Sequence, residues 1–275
     1  FAQLVAGPGT PPELIVLPEA AMTGYFLEGA VYERSFPAQA FADRLDAEWR
    51  AGGGTSPVDV VCGFYENDGG RYHNSALYAT LGGARGAQLV HVHRKMFLPT
   101  YGVFDEERFL SRGRKLSVFP TPFGPAAILI CEDAWHSIMP AIAALKGARL
   151  IIIPSASPGR GLAGAGILES VERWRATTTL MAGEHGVYVL YAGLTGFEGG
   201  KGMSGSSCVI SPRGDLLASL DELTVSILRA SLDPAEVDLA RATLPLLGDL
   251  SAVLPDLWYD GELPLPRGNA DVPGR

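Results

Sequence analysis

The sequence predicts one α/β domain in which mixed β-sheets lie beneath helical outer layers. Three observations carry this. Most candidate strands are continuous apolar runs, as expected where both faces of a strand are covered. Segments of helical period intervene between them, and turn residues mark hairpins among them. No polar linker or composition shift divides the 275 residues, a length one α/β domain often fills.

Taken in order, Phe1 to Val5 reads as a first strand, and Leu14 to Leu17 is a short apolar run ending at Pro18. Val58 to Tyr65 is the next buried run. Asn74 to Leu81 and Ala87 to Val92 form a hairpin whose turn uses Gly82, Gly83 and Gly86. Ala126 to Cys131 is an apolar strand that stops at Glu132 and Asp133. Ile138 to Lys146 has helical spacing, with Gly147 placed to cap it. Leu150 to Ile153 is again a buried strand. Ile167 to Glu184 is a helix with Glu169, Glu172, Arg173 and Arg175 on its wetter side. Val187 to Ala192 is a strand, and Ser206 to Ser211 pairs with Asp215 to Ser219 across Pro212-Arg213-Gly214. Thr224 to Ser231 is the last strand, and Pro234 to Ala242 is a short helix with proline in its first turn. From Pro245 the chain is rich in Pro and Gly and is expected to wrap a surface or a partner.

Composition narrows the function classes. The chain is 47% hydrophobic and 19% charged, which supplies a large core and excludes disorder. The net charge of −8 is scattered in both signs, without the basic stripe a nucleic-acid partner needs. No apolar run reaches the ~18–20 residues of a membrane helix. Cys62, Cys131 and Cys208 are odd in number and widely spaced, which is a poor disulfide framework, and no CxxC pair suggests zinc. Reduced thiols in a cytoplasmic protein follow as the expectation. His91 and His93 alternate on one strand face, but two imidazoles without a third ligand make a weak metal signal. No signal peptide opens the chain, and neither does a methionine.

Three apolar runs end in a reactive side chain: Glu19 after Leu14–Pro18, Lys95 after Leu89–Arg94, and Cys131 after Ala126–Ile130. Strand ends are where layered α/β proteins bring side chains together. Singly, each has a plain reading: a solvated loop glutamate, a surface lysine, a small core cysteine. Converging, they would form a base, an electrostatic clamp and a nucleophile. A free thiol has a pKa of about 8.5, so a carboxylate able to take its proton would be needed near neutrality.

Pro18-Glu-Ala-Ala-Met-Thr-Gly-Tyr25, Arg94-Lys-Met-Phe-Leu-Pro-Thr-Tyr-Gly-Val-Phe-Asp-Glu106 and Cys131-Glu-Asp-Ala-Trp135 resemble the three signature segments of the nitrilase superfamily of carbon–nitrogen hydrolases. The second and third are most similar to glutaminase domains of glutamine-dependent NAD synthetases. Tyr72-His-Asn-Ser-Ala76, Ser155-Ala-Ser-Pro158 and Gly202-Met-Ser-Gly-Ser-Ser207 add support, and the resemblance runs from Leu14 to about Leu232. It implies a four-layer αββα sandwich built on two mixed sheets, in a single domain over residues 1–275. It also implies a Glu–Lys–Cys triad falling on Glu19, Lys95 and Cys131. A further glutamate that orients the lysine and positions substrate corresponds to Glu106, with Glu107 the adjacent alternative. The implied activity is hydrolysis of an amide through a cysteine thioester, without metal or organic cofactor. Lys95 and the Glu132 N–H would hold the oxyanion.

Specificity is less legible. Tyr101, Glu132, Asp133 and Trp135 flank the catalytic words and are candidates for the pocket. Trp135 is equally a pocket wall or core, and Tyr25 and Tyr101 are either substrate-facing or packed. Ser157 and Arg160 follow the next strand end, where the resembling glutaminase domains hold the α-carboxylate and amine of glutamine. Arg160 has the fork for a carboxylate, and its glycine-rich surroundings equally suit a mobile loop.

The N-terminal end departs from the family, in which a long helix separates a first strand from the strand leading to the glutamate. Gly7 to Pro12 leaves no room for it, so a segment absent from this numbering is the expectation, because a bare sheet face would expose an apolar patch. Gly52 to Gly54 and Leu162 to Gly166 are read as trimmed or flexible. A free-standing amidase acting on a small-molecule amide is the first reading. A glutaminase subunit feeding a separate synthetase is the second, and a catalytically silent binding module the third. Carbamoyl and nitrile substrates stay open, as does acyl transfer from the same thioester. A homo-oligomer, dimer or higher, is expected, with Leu244 to Trp258 as an interface.

Overall fold

The computed structural model describes residues 1–6, 10–162, 167–220, 223 and 225–259. Its first element is a helix, α1 (Ala2–Ala6), where a strand was expected. Phe1 and Leu4 pack against an apolar cluster, with the Phe1 ring edge-on to Trp49 at 5.6 Å between centroids, and no described strand pairs with the segment. Next come β1 (Leu14–Val16), a single-turn helix α2 (Val31–Arg34), and α3 (Ala38–Ala51). The sequence reading left α3 unassigned, yet Phe41, Leu45 and Trp49 fall at helical spacing and are all buried.

Three long strands follow: β2 (Val58–Asp68), β3 (Arg71–Leu81) and β4 (Gln88–Arg94). With β1 they form a four-stranded sheet in the order β1-β2-β3-β4, parallel at the first pairing and antiparallel at the next two. Alternation along these strands divides the side chains between two layers. Val60, Cys62, Phe64, Leu77, Ala79 and Leu81 pack against α3. Val61, Ala76 and Tyr78 belong to the opposite face and to the central core.

The second sheet contains β5 (Ala126–Ile128), and the chain then turns through a 3-10 helix at Cys131–Trp135 into α4 (Ile138–Leu145). It continues with β6 (Leu150–Ser155), α5 (Glu169–His185) and β7 (Tyr188–Gly193). A small hairpin, β8 (Thr195–Glu198) with β9 (Lys201–Ser204), stands apart as its own two-stranded sheet. β10 (Cys208–Ile210) and β11 (Leu216–Ser219) complete the five-stranded order β11-β10-β7-β6-β5. Strands β5, β6 and β7 are parallel, and β10 and β11 are antiparallel. Met139, Ala143, Trp174 and Met181 of α4 and α5 cover the outer face of this sheet, and the central core joins the two sheets. The layers are therefore helix, sheet, sheet, helix, the αββα sandwich of nitrilase-type carbon–nitrogen hydrolases.

One further expectation fails. Residues 225–231 form no strand, although Val225 and Ile227 alternate with polar residues. A ladder needs a partner, and the segment is mostly exposed, Val225 at 87%. Its expected first residue, Thr224, lies outside the described residues. The stretch from Pro245 begins with a helix, since α6 (Ala235–Thr243) is followed by α7 (Leu246–Tyr259). Apolar residues dominate α7, its Leu247 packs on the central core, and Pro255 sits inside it. Residues 163–166 and 260–275, on which other expectations fell, lie outside the described residues. No described helix is long and apolar enough to cross a membrane.

Candidate active site

Both sheets deliver side chains to one place. From the four-stranded sheet come Glu19, just past β1, Asn74 on β3, and Lys95, the residue after β4. From the five-stranded sheet come Cys131, three residues past β5, and Ser155 with Ala156 at the end of β6.

Lys95 is the hub. It is 1% exposed, and its Nζ donates to Glu19 Oε1 at 2.8 Å and to Glu106 Oε1 at 2.7 Å. Burial alone would lower this ammonium, but the Glu106 and Glu19 carboxylates outweigh it and hold the pKa well above its usual value. Glu19 is fully buried. Its Oε1 also accepts from Asn74 Nδ2 at 2.7 Å, and its Oε2 accepts from the Ala156 N–H at 2.7 Å. That last bond crosses from one sheet to the other. Glu106 opens a short 3-10 turn and is buried, whereas Glu107 beside it is exposed. Burial raises the Glu106 pKa, with Lys95 pulling it down and Glu19 pushing it up. Tyr25 Oη donates to Glu106 Oε1, Asn74 Nδ2 lies 3.3 Å from the same oxygen, and Glu106 Oε2 has no protein partner.

Cys131 begins the 3-10 turn with φ +45°, a conformation a residue with a Cβ adopts at a cost of about 1–3 kcal/mol. Ser155 Oγ donates to its Sγ at 3.2 Å. Burial drives the thiol pKa far up and the Glu19 charge adds to this, while Lys95 and the Ser155 hydroxyl work in the opposite direction. At neutral pH the group rests as a thiol, so attack requires a base.

Asp133, expected from the sequence as a pocket residue, is instead fully buried and holds the turn. Its Oδ1 accepts from the Met96 and Phe97 amides at 2.9 and 3.0 Å, and its Oδ2 from the Ile130 amide at 3.1 Å and from His93 Nε2 at 2.9 Å. One fully buried carboxylate thus binds the residues after Lys95 to the residue before Cys131. His93 is accounted for by this contact, and His91 stacks on Phe119 at 4.4 Å between ring centroids. No cluster of His, Cys, Asp and Glu suited to a metal ion occurs among the described residues. Asn74 and Ser155 lie in the Tyr72–Ala76 and Ser155–Pro158 segments, where sequence alone assigns them no role. An amide at the head of an apolar run is the signal that could identify Asn74, since such a group requires partners once buried.

The specificity candidates separate into two groups. Tyr101 is 51% exposed and donates its hydroxyl to Glu132 Oε2 at 2.8 Å. The Arg160 guanidinium lies 5.9 Å from the Tyr101 ring centre and 5.1 Å from that of Phe104. Partial burial and the Glu132 bond push the Tyr101 hydroxyl up to about 12, and Cys131 is near enough to contribute. Tyr101, Glu132 and Arg160 therefore form one rim on the Cys131 side. Trp135 instead packs tilted against Trp174, at 4.4 Å between centroids and 50° between planes, and lies against the core. Ser157 is half-buried, and its carbonyl accepts from the Ser204 N–H at 2.8 Å. Tyr25 is buried on Glu106, with its ring 5.7 Å from Lys95 Nζ.

A thiol, a buried ammonium and two carboxylates on an αββα scaffold define a hydrolase of the nitrilase superfamily. The carbon–nitrogen hydrolase family model matches residues 6–242, and the chain belongs to that family. Among curated relatives, a glutamine-dependent NAD(+) synthetase of Rhodobacter capsulatus is 27% identical over 85% of this chain but 40% of its own length. An omega-amidase of Danio rerio is 28% identical over 88% of this chain and 83% of its own. The chain spans only 33 to 40% of the first synthetases it matches. Among solved structures, a carbon–nitrogen hydrolase of Helicobacter pylori aligns with a TM-score of 0.71 at 25% identity, covering 90% of this chain and 87% of the other. An amidase of Nesterenkonia sp. AN1, captured with an acetamide moiety on its active-site cysteine, aligns at 0.70 and 22% identity, covering 90% and 83%, and shares the fold.

Proposed function

We propose that this chain cleaves the C–N bond of a small amide or ω-amide through a thioester on Cys131. The observation that carries the reading is the buried Lys95 ammonium, clamped between Glu19 and Glu106 beside a cysteine kept as a thiol. Glu19 takes the thiol proton as sulfur bonds to the amide carbon. The resulting oxyanion is held by Lys95 and by the Glu132 N–H, which lies in the first turn of the 3-10 helix, where amides lack intrahelical acceptors. One such donor is commonly worth about 3–4 kcal/mol of barrier. Glu19 returns the proton to the departing nitrogen as the C–N bond breaks. Water then attacks the thioester with Glu19 again as base, and the C–S bond breaks to restore the thiol. Glu106 keeps Lys95 in place, and its unpartnered Oε2 is suited to accept from the substrate amide N–H. The route uses no metal or organic cofactor.

Ammonia release from a panel of ω-amides, L-glutamine, N-carbamoyl amino acids and nitriles tests this, with Cys131→Ala as the blank. Turnover of an ω-amide that disappears in Cys131→Ala and falls at least about 100-fold in Glu19→Gln is expected. Full activity in Glu19→Gln would remove the base assignment. A Cys131 inert to both substrates and iodoacetamide would favour a silent binding module.

One observation favours glutaminase action as a second reading. The rim places a carboxylate, Glu132, and a guanidinium, Arg160, around Tyr101. Together they suit the ammonium and carboxylate of an α-amino acid, which fits the likeness to glutamine-dependent synthetases. Arg160→Ala would then raise KM for glutamine while sparing simple amides.

Assembly as a homo-oligomer is also part of the proposal. Ile138, Leu180, Leu239, Val253 and Leu257 of the outer helices are exposed at 54, 67, 53, 49 and 50%. Light scattering after size exclusion should give a mass above 29.1 kDa for the chain. The three free cysteines support a reducing, cytoplasmic setting.

A further inference from the structure

A cavity of about 820 Å³ lies away from Cys131, where the edge of the four-stranded sheet meets the segment 111–117. Five cationic side chains line it: Arg71 at the start of β3, Arg94 at the end of β4, and Arg112, Arg114 and Lys115. Asp68 is the one acidic residue in the lining. Arg94 already engages it at 2.9 Å and grips Glu66 twice at 2.7 Å. Arg71, Arg112, Arg114 and Lys115 are exposed and have no acidic partner among the described residues. In a chain of net charge −8, four unmatched cations around one concavity repel each other without local compensation.

The wall that carries them is fixed. Gly113 N–H donates to the Lys95 carbonyl at 2.7 Å, and the Ser111 N–H to the Tyr72 carbonyl at 2.8 Å. A Cβ on Gly113 would meet the Arg94 carbonyl oxygen at 2.0 Å, so backbone touches backbone there and only glycine fits. Arg112 and Arg114 flank Gly113 in sequence, and both line the cavity. His73, 5% exposed, also lines the cavity. Its Nδ1–H donates to the Ser111 carbonyl at 2.6 Å, which leaves Nε2 buried with no partner. That Nε2 is an acceptor and needs a donor, which the P–OH of a partly protonated phosphoryl group supplies.

We propose that this cavity binds a small polyanion carrying phosphoryl groups, at a site distinct from the Cys131 centre. The volume is that of a small-molecule pocket. Guanidinium forks match phosphoryl oxygens two at a time. Several cations spread around one space call for more charge than a lone carboxylate brings, and each phosphoryl group supplies up to about two charges and three acceptor oxygens.

The test is calorimetric titration of the full chain with inorganic tripolyphosphate at constant ionic strength. Saturable one-to-one binding is expected, at least about tenfold weaker in Arg112→Ala/Arg114→Ala and unchanged in Arg173→Ala, an exposed arginine of α5. Both replaced arginines are solvent-exposed, and circular dichroism checks that the double variant is folded. Absence of saturation up to about 10 mM would overturn the proposal. So would equal affinity in the double variant, or equal heats from sulfate at matched ionic strength, which would reduce the effect to an ion atmosphere. Citrate binding as tightly as tripolyphosphate would overturn the phosphoryl assignment.

Discussion

Asp133→Asn replaces one oxygen by an NH2 group in the side chain that ties the lysine segment to the cysteine turn. Its cost can be worked bond by bond. The amide oxygen can keep the Met96 and Phe97 N–H groups, which Oδ1 accepts at 2.9 and 3.0 Å. The new NH2 then faces the Ile130 N–H, formerly bonded to Oδ2 at 3.1 Å, so two donors oppose each other in a fully buried place. Leaving that backbone donor unsatisfied costs about 1–3 kcal/mol. His93 can shift its proton to Nδ1 so that Nε2 accepts, but Nδ1 is buried without a partner, which costs about 1–3 kcal/mol more. The two surviving bonds lose the charge that made them roughly twice as strong as neutral ones. The sum is about 3–6 kcal/mol, a large share of the ~5–15 kcal/mol that holds a domain together. Urea unfolding followed by tryptophan fluorescence reads the stability, and ammonia release reads kcat. The turn that holds Cys131 at φ +45° starts at the orphaned amide. A residual displacement of the thiol from Lys95 should therefore lower kcat at least about tenfold, equivalent to ~1.4 kcal/mol of barrier. A stability change below ~1 kcal/mol together with unaltered kcat would refute the claim that Asp133 ties the two segments.

Lys95→Met leaves Glu19 and Glu106 buried against each other with no cation between them. It should cost about 3–5 kcal/mol, and Lys95→Met/Glu106→Gln should recover part of that in urea unfolding. Gly63→Ala places a Cβ 2.5 Å from Glu19 Cα and 2.7 Å from the Pro18 carbonyl oxygen, both backbone atoms that cannot step aside. Overpacking of about 1–3 kcal/mol and a fall in kcat without loss of secondary structure are expected, with circular dichroism and ammonia release as readouts. His91 is held down to about 4 from 6.5 by burial first, then by His93 and Lys115. Its folded pKa is depressed, so the unfolded chain takes the proton first. Stability should fall as pH drops below ~6.5, and the loss should level off near 4, with at most about 3 kcal/mol at stake and nearer half of that for a partly exposed ring. The pH dependence of urea unfolding in His91→Gln should be flatter across that window.

The fold was legible where a single pattern decides. Strands β2, β3, β6 and β7 are apolar over most of their length because layers cover both faces, and such runs read directly as buried strands. Residues 225–231 show the opposite case. Their β-branched alternation describes a surface that would suit a sheet, but a strand exists only where a neighbour supplies the ladder. At the N-terminal end a five-residue segment carried no period to read, and contact with Trp49 settles it as part of the helical layer. The Pro- and Gly-rich composition after Pro245 concealed α7, whose apolar stripe is driven by packing on α4 and α5. At the site, Glu19, Lys95 and Cys131 could be proposed because each follows an apolar run, and Glu106 because it closes a distinctive segment. Asn74, Asp133 and Ser155 could not, because their roles lie in hydrogen bonds between segments 32 to 55 positions apart for Asn74 and 36 to 40 apart for Asp133 and its lysine-side partners.

The source of the site residues bears on what rigidity does here. Glu19, Asn74 and Lys95 are anchored to one sheet, and Cys131, Ser155 and Ala156 to the other. A slide of one sheet over the other would therefore separate the proposed base from the proposed nucleophile without disturbing either sheet. Two ties oppose such a slide: the Glu19 bond to the Ala156 N–H, and the Asp133 carboxylate between the Met96, Phe97 and Ile130 amides. Between them lies the central core, where Val61, Ala76 and Tyr78 of the first sheet meet the apolar residues of β5 and β6. Close-packed interfaces of this kind hold discrete arrangements and do not deform smoothly. The inter-sheet core thus sets the geometry of the proposed catalytic site as well as contributing to stability. Buried substitutions between the sheets should reduce kcat out of proportion to their effect on folding, while equally buried ones between α3 and the first sheet should act on folding alone.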